Sequence, residues 1–162
     1  ALGGVVRVVR VMPNTPARVG AGMTAIAASA GARDDDVAVA RMLFESLGDV
    51  AALDESLIDA FTGVAGSGPA YVFYLAEAMA RGGEAVGLDP ATAARCTRQT
   101  IIGAAELLRK QPDISAADLR AAVTSKGGTT QAATEALDEA GVMEGVVEAI
   151  RAARDRGRAL GG

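Results

Sequence analysis

Histidine is absent from this sequence. Its absence removes the usual general base, the usual metal ligand and any Ser-His-Asp arrangement, so no metal site is expected. Cysteine occurs once, at Cys96, which excludes an intrachain disulfide. Cys96 falls in a helical pattern and is expected to act as a small buried hydrophobe; one thiol fits a cytoplasmic protein. Aromatic residues make up only 3% of the chain, although half of it is hydrophobic. The core must therefore be built from Ala, Val, Leu and Ile, and its helices can approach closely. No apolar run reaches membrane-spanning length, and no signal peptide is visible. Internal repeats and low-complexity tracts are also missing. Basic residues are dispersed and the net charge is −4, which leaves no nucleic-acid footprint.

What remains is an aliphatic chain of 162 residues, suited to one domain, or to one and a fragment of another. Its positive mean hydropathy hints at oligomerisation, because a monomer of this size would not bury so much apolar surface. Val5, Val6, Val8, Val9 and Val11, interrupted by Arg7 and Arg10, read as a strand. The strand comes without a methionine or a lead-in, so the sequence reads as a fragment cut from a longer chain. Met12-Pro13-Asn14-Thr15-Pro16 follows, and its prolines prevent a regular helix or a central strand. By chemistry alone it is an ordinary loop. Gly20, Gly22 and Ala25 mimic a G-x-G-x-x-A dinucleotide fingerprint, but that motif needs a helix straight after the glycines. Met23 to Ala28 looks like another strand instead, ended by Gly31.

Asp34, Asp35 and Asp36 open a helix, where acidic residues favour the positive N-terminal end. Val37, Ala40, Met42, Leu43 and Leu47 supply its apolar face, Gly48 stops it, and Asp49 to Leu53 form a short strand. Residues 1–53 thus alternate strand, strand, helix, strand, like the tail of an α/β sheet. From Asp54 onward only helices are expected, beginning with a short one from Glu55 to Thr62. Gly63 to Pro69 reads as a flexible junction or, less simply, a ligand loop. Ala70 to Gly87 is apolar nearly all round through Tyr71, Val72, Phe73, Tyr74 and Leu75, so it should be buried on every side, partly by another subunit. Tyr71 and Tyr74 fit core or interface positions. Asp89 caps the next helix and Pro90 takes its first position. Ala94, Thr97, Ile101, Ala104 and Leu108 form a packing seam on it, with a close crossing expected at Gly103. Gln111-Pro112-Asp113 ends that helix, Ser115 caps another, and the last helix, from Val142 to about Leu160, should bury Val142, Val146, Ala149 and Ile150.

Residues 118–138 are the most informative stretch. Leu119, Ala122 and Val123 share one helix face, and Ala132, Ala133, Ala136 and Leu137 share another. Between them stand Gly127 and Gly128, ringed by Thr124, Ser125, Thr129 and Thr130. Thr129 or Thr130 can cap the second helix, whose first turn has free N–H groups. Two readings fit this stretch: a tight helix–helix turn, or an anion site at a helix N-terminus.

Asp118 to Asp138 resembles the signature of pyrroline-5-carboxylate reductase. Met12 to Pro16, with Gly20-x-Gly22-Met23-Thr24 after it, and Gly66-Ser67-Gly68-Pro69-Ala70-Tyr71 resemble the same family in the same order. Lys126 departs from the proline usual there, giving up loop rigidity and offering a cation; Arg18 departs from an apolar residue. The resemblance implies a mainly α fold: a helical dimerisation and substrate-binding domain (6-phosphogluconate dehydrogenase C-terminal-like) over residues 54–162. Residues 1–53 would be the last strands and helix of a truncated Rossmann-type α/β domain. It also implies hydride transfer from NADPH or NADH to 1-pyrroline-5-carboxylate, giving L-proline, with the cofactor's pyrophosphate site outside this chain and the fragment inactive alone. Ser125, Gly128, Thr129 and Thr130 would bind the substrate, with Thr130 as the catalytic residue. Asp113 could lie beside the substrate, although it also fits a solvated turn. Asn14 and Thr15 would line the cofactor cleft. A homodimer through the helical domain is expected, with higher assembly left open. The alternatives are a non-catalytic helical dimerisation module and a reductase for another cyclic imine.

Overall fold

A computed structural model describes residues 7–161; Val5 and Val6, expected in the first strand, lie outside the described residues. One sheet carries β1 (Val9–Pro13), β2 (Gly22–Ala28) and β3 (Gly48–Ala52) in that order. β1 runs antiparallel to β2, with Val11 opposite Ile26, whereas β2 and β3 are parallel, with Thr24 opposite Val50. Parallel neighbours need a crossover, and helix α1 (Asp34–Glu45) provides it. The strand, strand, helix, strand order is the one expected. β1 lies at the edge, where Pro13 can end a strand without breaking a ladder. β2 is central, and Thr24, Ala25, Ile26 and Ala27 are all buried on it, as befits a strand covered on both faces. Ala25 and Ala27 pack with Ile58, and Met12, Leu53 and Phe61 surround them. The glycines at 20 and 22 lead directly into β2, so the dinucleotide-like spacing has no helix behind it.

The apolar face of α1 differs from the expected one. Met42 and Leu43 are exposed, and the half-buried stripe is Val37, Ala40, Arg41 and Phe44. Arg41 belongs to it because its stem can pack while its guanidinium donates to the Val50 carbonyl at 3.2 Å.

After β3 come a 3-10 turn (Glu55–Leu57), α2 (Ile58–Phe61), a π-helical turn (Thr62–Gly66) and α3 (Gly68–Ala85). The expected flexible junction is thus a wound segment, and α3 starts two residues before Ala70. The Ser67 N–H donates to the Thr62 carbonyl at 2.8 Å, the i→i−5 bond of a π turn. Gly63 is buried there, and a Cβ on it would lie 2.8 Å from the Ile150 carbonyl of α7 (Val142–Gly161). A side chain at 63 would push the two backbones apart.

α4 (Pro90–Lys110), α5 (Ala116–Ala122) and α6 (Thr129–Glu139) complete the helices. Both expected caps are present: Asp89 accepts the Thr92 N–H and Ser115 the Asp118 N–H, each at 3.1 Å. Among the described residues Gly103 has no neighbour that would meet a Cβ, so no close crossing within the chain is seen there; a tight approach is at Gly83, where a Cβ would lie 3.1 Å from the Ala93 methyl. Cys96 is exposed rather than buried, being off the Ala93–Thr97 stripe that α4 buries. Val142 and Val146 of α7 are also exposed, and α3 buries no residue. One chain alone does not cover these apolar faces.

The chain divides into two compact units, one running up to Tyr71 and resuming at Val146, the other Val72–Gly145. The expected division at residues 53 and 54 follows the end of the α/β pattern, whereas these units follow contacts within the chain. The segment after β3 belongs with the sheet because Ile58 and Phe61 pack on β2 residues and Gly63 meets α7. Among the described residues no helix is long and apolar enough to cross a membrane.

Candidate functional site

α5 unwinds at Val123, and the Thr124 hydroxyl turns back to donate to the Arg120 carbonyl at 2.7 Å. The chain then reverses through Gly127, whose φ of 72° is left-handed and favours glycine. Gly128 is the N-cap of α6, and no side chain caps that helix. The expectation that Thr129 or Thr130 caps it is therefore corrected: both are already inside its first turn. Gln131 does the compensating work, accepting the Gly127 N–H on Oε1 at 2.7 Å. Its Nε2 donates to Glu135 Oε1, also at 2.7 Å. Sequence reasoning missed Gln131. The available signal was its place three residues after the cap, where the Glu or Gln of a capping box stands.

The N–H groups of the bend are not all free. Gly128 donates to the Ser125 carbonyl at 3.0 Å, which corrects the expectation that its amide is available to an anion. A Cβ on Gly128 would also collide with the Ser125 hydroxyl. The amides of Thr129, Thr130 and Gln131 meet no acceptor among the described residues, as the first turn of a helix requires. The Ser125 and Thr130 hydroxyls likewise have no hydrogen-bond partner among the described residues. Ser125, Gly128, Thr129 and Thr130 are thus brought together, with the Thr129 and Thr130 amides and the Ser125 and Thr130 hydroxyls among the uncommitted groups. Such a set can hold a carboxylate, since the helix end carries partial positive charge.

Asp113 lies exposed in the turn between α4 and α5, and no hydrogen bond joins it to the bend among the described residues. Asn14 and Thr15 belong to the sheet-bearing unit. Asn14 is a brace: its Nδ2 donates to the Ala65 carbonyl and its Oδ1 accepts the Met23 N–H, both at 2.9 Å. Its amide thereby ties the start of β2 to the π turn. On the other side of that turn the Tyr71 hydroxyl donates to the Gly63 carbonyl at 2.9 Å. Thr15, in the 3-10 turn Thr15–Val19, is exposed and has no side-chain partner among the described residues.

A family model described as pyrroline-5-carboxylate reductase dimerisation matches residues 55–160. The chain belongs to the pyrroline-5-carboxylate reductase family. A pyrroline-5-carboxylate reductase from Synechocystis sp. is 47% identical over 154 residues, covering 95% of this chain and 57% of that protein. The structure of a pyrroline-5-carboxylate reductase from Coxiella burnetii matches with a TM-score of 0.92 at 37% identity, over 98% of this chain and 59% of that one. Plasmodium falciparum pyrroline carboxylate reductase, solved with NADP bound, matches with a TM-score of 0.89 at 29% identity, over 99% of this chain and 64% of that one. The chain spans little more than half the length of the curated pyrroline-5-carboxylate reductases it matches. A small sheet followed by helices through the dimerisation region is the fold class expected of this family.

Proposed function

We propose that this chain is the substrate-holding and dimerising part of a reductase that converts 1-pyrroline-5-carboxylate to L-proline with NADH or NADPH. The observation that carries this reading is the Ser125–Thr130 bend, whose uncommitted amides at Thr129 and Thr130 lie in a member of this family. The substrate carboxylate would accept from both amides and from the Ser125 hydroxyl. Gly128 would shape the bend rather than donate, its N–H being spent on Ser125. The Thr130 hydroxyl would then meet the ring nitrogen. A ring imine already protonated in solution needs no strong acid, so a site with no histidine suffices if it orients the ring.

A nicotinamide cofactor would supply the hydride to the C=N carbon. Of the two residues expected to line it, Thr15 fits better, because the Asn14 amide is engaged on both of its ends. The described residues hold no glycine turn that opens a helix after a strand, so this chain would contribute to the nicotinamide end alone. One exposed free thiol fits a reducing compartment, the cytoplasm.

Dimerisation belongs to the same reading. Val72, Phe73, Ala76, Ala80, Ile101 and Ile102 line a groove of about 450 Å³ between α3 and α4. A second copy would cover it.

Two measurements test the proposal. Titration with L-proline, followed by NMR, should shift the Thr129 and Thr130 amides; no response would leave a dimerisation module without catalysis. Fused behind the N-terminal portion of the Synechocystis relative, the chain should reduce 1-pyrroline-5-carboxylate. Thr130→Ala should lower that rate on the order of tenfold or more, the worth of one hydrogen bond to a charged group. Full activity in the variant would remove Thr130 from the mechanism.

A further inference from the structure

The bend between α5 and α6 is closed from both sides. Upstream, Gly128 donates to the Ser125 carbonyl at 3.0 Å. Downstream, Gln131 reaches back over its own first turn to the Gly127 N–H at 2.7 Å. A primary amide has one accepting end and one donating end. Here the oxygen faces an N–H and the nitrogen faces the Glu135 carboxylate at 2.7 Å. A flipped amide would set donor against donor and acceptor against acceptor, so the network admits one orientation.

Gly127 has a φ of 72°, and among the described residues no atom beyond its chain neighbours lies within 4 Å of a Cβ built on it. A left-handed residue in open space keeps its conformation through the bonds its backbone makes, and the bond from its N–H goes to Gln131.

We propose that Gln131 is a positioning residue for the substrate loop, locking the Gly127–Gly128 bend through its side-chain amide while Glu135 holds that amide in place. The functional part of this inference rests on the reading of the bend as a carboxylate site. Ser125, Thr129 and Thr130 keep their mutual placement only while the bend is held. A loop that samples other conformations binds more weakly in proportion to its competent fraction.

The test uses the full 162-residue chain. Amide hydrogen exchange at Gly127 is followed by NMR in the wild type, Gln131→Ala, Glu135→Ala, and the paired exchange Gln131→Glu with Glu135→Gln. Gln131→Ala should speed Gly127 exchange by on the order of tenfold, the factor one net hydrogen bond supplies. Glu135→Ala should have a smaller effect in the same direction. The paired exchange should restore slow exchange, since a carboxylate at 131 still accepts the Gly127 N–H and an amide at 135 donates to it. Rescue by inverting the pair is not expected of a residue that only stabilises the helix. L-proline should bind Gln131→Ala about threefold to tenfold more weakly than wild type, with the helix content by circular dichroism unchanged. Unchanged Gly127 exchange in Gln131→Ala would overturn the lock. Equal proline affinity in wild type and variant would overturn the positioning role. Faster Gly127 exchange with no proline binding even in the wild type would support the lock and sink the substrate reading instead.

Discussion

Single residues in this protein act through what their backbones and polar atoms are tied to. Asp36, in the first turn of α1, accepts from the Arg7 side chain and from the Arg33 backbone N–H at 2.9 Å. The Arg7 guanidinium above all, with the Arg33 N–H, holds its carboxyl at about 2, below its ordinary value of 3.8. A group whose folded value is depressed contributes stability that is full above the unfolded value and is lost as pH falls through the folded one. Wild type should therefore lose this contribution as the pH drops from 3.8 toward about 2. Asp36→Asn, measured by thermal unfolding across that range, should be less stable at neutral pH and should lose less on acidification. The effect is small because both side chains are solvated. Gly127 and Gly128 show the same dependence on ties at the site. Two glycines among hydroxyl residues were legible as a turn that opens a helix. Which amides stay free was not, because that depends on whether a carbonyl or side chain three or four residues away swings back to meet them.

Among the elements, the π turn at Thr62–Gly66 departs most from the reading of its sequence. Glycines at 63, 66 and 68 lower helix propensity and so read as a hinge. The turn is wound because remote residues hold it: Asn14 at the Ala65 carbonyl, Tyr71 at the Gly63 carbonyl, and the α7 backbone beside Gly63. Asn14 is separated from Ala65 by 51 positions, so no local pattern could announce the contact. Asn14→Ala strips the Ala65 carbonyl of its donor and the Met23 N–H of its acceptor in a half-buried place. It should cost about 1–3 kcal/mol, read as a lower urea midpoint with an unchanged slope. A variant as stable as wild type would mean that solvent replaces both bonds. By contrast, the caps at Asp89 and Ser115 were readable in advance, since a cap and the amide it accepts lie three residues apart.

For the whole molecule, the deciding quantity is apolar surface that one chain leaves in water. Phe73 is 68% exposed and Leu75 50%, on a helix whose sequence reads as interior, and Ile102 on α4 is 50% exposed. Covering such faces is worth roughly 25 cal/mol per Å², and the matching family region is one of dimerisation. Phe73→Glu sets a charge on the groove between α3 and α4 and should shift the chain toward monomer by light scattering, with helix content by circular dichroism unchanged. An unaltered mass would place the subunit contact elsewhere.

The order of strands and helices, the caps at Asp89 and Ser115 and the family were decided by the residues themselves, because they depend on periodicity, turn chemistry and motifs read within a few positions. The boundary between compact units, the wound segment at Thr62–Gly66 and the Asn14 brace arose only in the folded chain, since each depends on atoms that approach across long stretches of sequence. The Gln131 lock on the glycine bend lies between these cases. Its spacing was visible, but which way its amide turned was set by Glu135 one helical turn further on.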